Sequence, residues 1–320
     1  MVNVNTGQKA AMSSQAAAYL ENIRHPPFPS LLSPFIASPS RILNIRQTIG
    51  QKLAALEEQH IKRYNLTITE TTVADIPVIV IEPHVIAPDN ESKILINIFG
   101  GGFVMGTPRE RAALIMAGEC GIRVYSIGYS LSPEVRYPIA RNECFEVYRK
   151  LVEIHEPANI YAMGSSSGAT LMITTLLLAH KDKLPMPARL FLCTPAVDFT
   201  GAGDSMVSNA DRDIMPVALL SAMVRQNYSP TDSKFDFKNP LFSPLFASYD
   251  AAWPPTVITS GTRDISLSSS VRFYWKLREA GAKIELLVGE GMWHGFNWEV
   301  DIPEAIALRA AVREFLFSDN

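Results

Sequence analysis

The sequence predicts an α/β protein built on one large, mostly parallel sheet with helices on both faces. Three observations predict it. Eight short apolar or β-branched runs punctuate the chain between residues 66 and 288. Stretches with apolar residues at helical spacing lie between most of the later runs, and strands alternating with helices imply parallel pairing through helical crossovers. The chain of 320 residues, 47% hydrophobic, is also long and apolar enough to bury one large core.

Residues 66–72 and 77–81 read as the first two strands, the second followed by Glu82-Pro83. Residues 93–99, 123–129, 159–163, 189–193, 256–260 and 283–288 supply the third to the eighth, and helical patterns cover 109–119, 140–154, 169–179, 268–280 and 303–317. Ahead of the first strand, helices are expected over 10–23 and 42–61, the latter carrying Ile42, Ile45, Ile49 and Leu53 at helical period. The prolines of His25-Pro26-Pro27-Phe28-Pro29, and Pro34, cannot continue a helix and make a hinge between them. Residues 198–250 break the rhythm with Gly201, Gly203, Pro216, Pro230, Pro240 and Pro244 around one amphipathic stretch at 216–228. That is too long for an ordinary loop inside a compact domain. The expected organisation is cap helices over 1–60, an α/β core over 61–197 and 251–320, and a second cap segment over 198–250. As the last strand, 283–288 would offer an exposed edge for a homodimer.

The net charge is −3 and no long Lys/Arg run is present, which argues against nucleic acid and against a polybasic membrane patch. The first residues lack a basic segment followed by a continuous apolar run, so no signal peptide is expected. No stretch approaches the ~18 uninterrupted apolar residues of a membrane span. Cys120, Cys144 and Cys193 sit in apolar surroundings, without zinc spacing or a disulfide framework. They fit a reducing compartment, and the cytoplasm is the expected location.

The chemistry centres on Gly164-Ser165-Ser166-Ser167-Gly168, a G-x-S-x-G between an apolar strand and an apolar helix. Glycines on both sides let strand and helix approach through a sharp turn that strains the central Ser166 and exposes its hydroxyl. Alone, the pentapeptide is a weak signal. A serine hydroxyl also needs a base to take its proton and a group to orient that base, arriving in the chain order serine, carboxylate, histidine.

Of six histidines only His180 and His294 follow Ser166. His180 ends the helix that leaves the serine, whereas His294 lies in a loop just beyond the eighth strand, at the strand end where parallel-sheet sites form. For the carboxylate, Asp264 lies just past the seventh strand; Glu290 is its rival, close to His294 in sequence. Asp264 is preferred because separate strand ends hold base and acid rigidly. Phe99-Gly100-Gly101-Gly102-Phe103 follows the third strand and would present peptide N–H groups to a developing negative oxygen, joined by the N–H of Ser167. G-x-G-x-x-G is absent, so a nucleotide cofactor is not expected.

These residues resemble the hormone-sensitive-lipase-like family of α/β-hydrolase carboxylesterases over roughly residues 93–315. Gly100-Gly101-Gly102-Phe103 resembles part of the family's H-G-G-G-F loop, and Tyr129-Ser130-Leu131-Ser132-Pro133-Glu134 its Y-R-L-A-P-E segment. Ser166 matches the nucleophile of G-D-S-A-G, while Pro240-Leu241-Phe242-Ser243-Pro244 and Trp253-Pro254-Pro255 resemble the approach to the acid at Asp264. Glu290-Gly291-Met292-Trp293-His294-Gly295-Phe296 resembles the segment carrying the base.

The resemblance implies the α/β-hydrolase fold, a mainly parallel eight-stranded sheet under a helical cap. It also implies hydrolysis of short- to medium-chain esters without cofactor or metal. Oxyanion donors would be the N–H groups of Gly101, Gly102 and Ser167, and Phe99, Phe103, Trp293 and Phe296 are candidates for the substrate pocket. Two positions depart from the pattern: the family's histidine before the glycines is Phe99, and its aspartate before the nucleophile is Ser165. The two changes are expected to compensate each other. Two other readings stay open at this point: a small-molecule-binding relative that has lost catalysis, and a hydrolase of a lactone, an amide or an acetylated compound.

Overall fold

A computed structural model describes residues 4–23 and 30–318. The proline-rich hinge expected over 25–29 lies outside the described residues. Eight strands form one sheet: β1 (Leu66–Val73), β2 (Ile76–Pro83), β3 (Ile94–Ile98), β4 (Arg123–Ile127), β5 (Ile160–Ser165), β6 (Arg189–Cys193), β7 (Thr256–Gly261) and β8 (Ile284–Gly289). Their order across the sheet is β1-β2-β4-β3-β5-β6-β7-β8. The pairs β1–β2 and β2–β4 are antiparallel and the other five are parallel.

Burial explains the strand sequences. Every residue of β3, β5 and β7 is buried, so these central strands are apolar on both faces. The outer strand β1 is largely exposed and reads Leu-Thr-Ile-Thr-Glu-Thr-Thr-Val. One face is covered by the helices Ile139–Ile154, Ser167–Lys181 and Leu267–Glu279, the other by Arg111–Cys120 and Pro303–Phe317. Cys120, Cys144 and Cys193 are buried and unpaired. No helix among the described residues is long and apolar enough to cross a membrane.

The chain order reverses across the centre of the sheet: β3 leads outward to β4, and β5 returns to lie on the other side of β3. Loops leaving the carboxyl ends of β3 and β5 therefore diverge and open a crevice between them. The glycine loop after β3 and the serine turn after β5 both stand at that crevice.

Two N-terminal expectations need correction. Residues 10–23 do not form one helix but two, Thr6–Ala10 and Ser14–Asn22. Ser13 makes the break, since its hydroxyl accepts from the N–H of Ala16 and both its N–H and hydroxyl donate to Glu304. The second helix is longer than expected, Pro39–Tyr64, with a left-handed Asn65 at its end. Within 198–250, the stretch at 216–228 folds as the helix Val217–Met223 continued by a π turn, Val224–Tyr228.

Candidate active site

Ser166 is held at φ +52° and ψ −118°, a conformation that L-residues adopt only under constraint. Gly168 makes the turn feasible, because a Cβ there would lie 2.1 Å from the carbonyl oxygen of Ile98. The helix that begins at Ser167 can thus start directly against β3. The Ser166 N–H donates to Cys193 O on β6 at 2.9 Å, pinning the turn from the other side.

His294 reaches this turn from the loop after β8. Its Nε2 lies 2.9 Å from Ser166 Oγ and its Nδ1 lies 2.8 Å from Asp264 Oδ1. With Nδ1–H donating to the carboxylate, Nε2 is left as the acceptor for the serine hydroxyl. Asp264 is fully buried, and its other bonds come from the Ser260 hydroxyl at 2.6 Å and the Ser266 N–H at 2.7 Å. Burial weakens the basicity of His294, but the charge and hydrogen bond of Asp264, with the charge of Asp213, outweigh it and raise the imidazole above its ordinary pKa. Glu290 is exposed, and His180 pairs at 3.1 Å with Asp250 at the far end of its helix. Neither joins the cluster.

The glycine loop faces the same serine. Gly101 has φ +117°, and a Cβ there would come within 2.2 Å of Met105 O, so only glycine fits. Among the described residues the N–H groups of Gly101, Gly102 and Ser167 meet no protein acceptor. The Gly100 N–H instead donates to Glu110, whose carboxyl also accepts from the Asn97 amide at 3.2 Å. Burial pushes the Glu110 carboxyl up to about 7, against the pull of these donors and of Arg111. The sequence hid this residue: Glu110 stands where a helix begins and reads there as an ordinary first-turn acid.

Above Ser166 and His294 lies a cavity of about 350 Å³. Its apolar wall includes Ile49 and Leu53 from the long N-terminal helix and Ile214, Met215 and Leu220 from 198–250. The four aromatic residues expected around the substrate do not line it. Phe99, Phe103, Trp293 and Phe296 are all buried to 1% exposure or less and serve packing. Phe99 stacks on Tyr129 with ring centres 4.1 Å apart, and Phe103 on Tyr228 at 3.7 Å. Trp293 stacks on Tyr19 at 4.6 Å, and Phe296 joins the same cluster as Leu20 and Met292. Trp298, not anticipated, does face the cavity, as does Arg111, paired with Glu299 at 3.2 Å.

Comparison with known proteins gives this arrangement its context. A family profile described as the alpha/beta hydrolase fold matches residues 95–297. The chain belongs to the α/β-hydrolase family. Within that family it is similar to an esterase of Acinetobacter venetianus, 30% identical over 72% of this chain and 77% of that one. It also resembles the hormone-sensitive lipase of Mus musculus, 30% identical over 45% of this chain but only 20% of the lipase. A solved structure of an esterase designated E25 superimposes with a TM-score of 0.89 at 27% identity, covering 99% of this chain and 97% of the other. This α/β-hydrolase is accordingly a hormone-sensitive-lipase-like carboxylic ester hydrolase.

Proposed function

We propose that the hydrolase cleaves short- to medium-chain acyl esters through an acyl-enzyme on Ser166. The observation that carries this is the unbroken chain from Ser166 Oγ through both nitrogens of His294 to Asp264, at 2.9 and 2.8 Å. Ser166 attacks the ester carbonyl as His294 Nε2 takes its proton. The resulting imidazolium is stabilised by Asp264 and then protonates the departing alcohol. Water attacks the acyl-enzyme by the same route in reverse. The N–H groups of Gly101, Gly102 and Ser167 receive the negative oxygen of each tetrahedral intermediate.

Residues 1–60 and 198–250 act as a two-part cap over the core of 61–197 and 251–320, because both contribute wall residues to the cavity. A cavity of this size and lining suits small apolar acyl groups. The buried, unpaired cysteines support a reducing, cytoplasmic setting. A chain-length series of p-nitrophenyl esters, run on wild type and on Ser166→Ala, tests both parts. Ser166→Ala should lose about 10⁶-fold in kcat. Full activity in that variant, with loss in Ser165→Ala or Ser167→Ala, would refute the assignment. A flat chain-length profile would show that the cap does not sort substrates.

A further inference from the structure

We propose that Asp213, carried on the segment 198–250, is a positioning residue that fixes the base loop against the acid loop. The inference rests on the triad reading above. Asp213 is fully buried. One oxygen accepts from the N–H of Ile214 at 2.6 Å and from the N–H of His294 itself at 3.0 Å. The other accepts from the N–H of Ile265, the residue after Asp264, at 2.7 Å. A single carboxylate therefore sets the spacing between the backbones that carry the base and its partner.

Neighbouring residues stitch the same turn to the acid loop but stop there. Asn209 donates its amide to the carbonyls of Thr262 and Asp264 at 3.2 and 3.0 Å, and the Arg212 carbonyl accepts from Arg263 Nε at 2.9 Å. Asp213 alone among these continues to His294. Only a carboxylate can serve here, since donors arrive at both of its oxygens; an asparagine would set its NH₂ against one of them.

The charge acts as well as the shape. The ionisable groups around the site are Asp264 and Arg263 after β7, His294 after β8 and Asp213 itself, with the Ser166 and Ser266 hydroxyls beside the ring. Asp213 is a second negative charge acting on the imidazole, adding to Asp264 and making His294 harder to deprotonate. Burial, with the repulsion of Asp264, raises Asp213 in turn to about 6. The resting pair of carboxylates is thereby poised to stabilise the imidazolium that forms when Ser166 gives up its proton.

The test compares Asp213→Asn with Asn209→Ala on p-nitrophenyl butyrate. In Asp213→Asn, kcat should fall by up to about 10²-fold with KM held within about twofold, because Asp213 touches the triad backbone and not the cavity. The acidic limb of the kcat/KM profile should move to lower pH, because removing a negative charge makes the imidazole easier to deprotonate. Asn209→Ala should lower the melting temperature without moving that limb. An unmoved limb in Asp213→Asn, or a loss confined to KM, overturns the proposal. The folded wild type answers the same question independently of the variant: carboxyl ¹³C NMR should show an aspartate titrating above the ordinary range in step with the His294 ring, and its absence also overturns the proposal. Labelling of Ser166 by a fluorophosphonate in wild type separates the two readings: failure to label overturns the triad assignment, whereas labelling together with an unmoved limb in Asp213→Asn overturns only the positioning role of Asp213.

Discussion

The two walls of the crevice are built by opposite means. On the side of β7 and β8, position is set by charge: buried carboxylates at 213 and 264 bracket His294, and backbone or hydroxyl donors meet all four of their oxygens. On the side of β3, position comes from backbone shape and stacked rings: Gly101 in a conformation only glycine tolerates, Phe99 on Tyr129 and Phe103 on Tyr228. The difference follows the chemistry proposed for each wall. Where the proposed reaction moves a proton, buried anions would stabilise the cation that results. Where it develops negative charge, neutral N–H dipoles fixed in advance would stabilise it, and a nearby anion would oppose it. Glu110 is the exception on the second wall, and its raised pKa keeps it partly neutral near pH 7.

The largest break in the comparison comes from Asp264→Asn. An asparagine NH₂ facing Nδ1 would turn the imidazole to the tautomer whose Nε2 carries a proton, so it cannot accept from Ser166. A loss of about 10⁴-fold in kcat with little change in KM is expected from steady-state kinetics. A loss below about tenfold would mean that another carboxylate, such as the exposed Glu290, partners the base.

A smaller effect is expected from Glu110→Gln on the opposite wall. A carboxyl whose folded pKa is raised to about 7 binds its proton more tightly folded than unfolded. Its stabilising contribution is full below the unfolded pKa of ~4.5 and is lost as the pH rises to the folded value. Glutamine never ionises and escapes that loss. The melting temperature of Glu110→Gln relative to wild type should therefore climb between about pH 4.5 and 7 and then level, by about 2–5 °C. A difference independent of pH, read by calorimetry across that range, would show that Glu110 is not held neutral by the wall.

Much of this was legible in the chain. All eight strands were, because the central ones are apolar on both faces and even the exposed β1 keeps its β-branched residues. Ser166, Asp264 and His294 could be ordered in advance because each follows a strand in a motif of its own. The cavity wall could not. Trp293 and Phe296 flank His294 in sequence, but in a tight loop adjacent side chains diverge, so the histidine faces the serine while both aromatics turn into the core. The wall is supplied by Ile49, Leu53, Ile214 and Leu220, which meet only through tertiary packing and carry no local signal. Asp213 escaped notice for the same reason: apart from the adjacent Ile214, its partners are backbone N–H groups more than 50 positions away.

The smallest effect, and the one that most sharpens the contrast between walls, concerns Phe99 and Ser165. They are neighbours across the ends of β3 and β5, where a Cβ on Gly100 would lie 2.8 Å from Ser165 O. Among the described residues the Ser165 hydroxyl has no hydrogen-bond partner although it is buried. A histidine at 99 alone would bring a polar ring into a slot shaped by Tyr129 and Gly106, where no charged partner waits for it at position 165. Phe99→His should thus lower both the melting temperature and kcat, the latter only a few-fold, about 1 kcal/mol. Ser165→Asp in the same chain should restore part of each by giving the imidazole an acceptor. If Phe99→His alone raised activity and melting temperature together, the two positions would not compensate, and this wall would need charge after all.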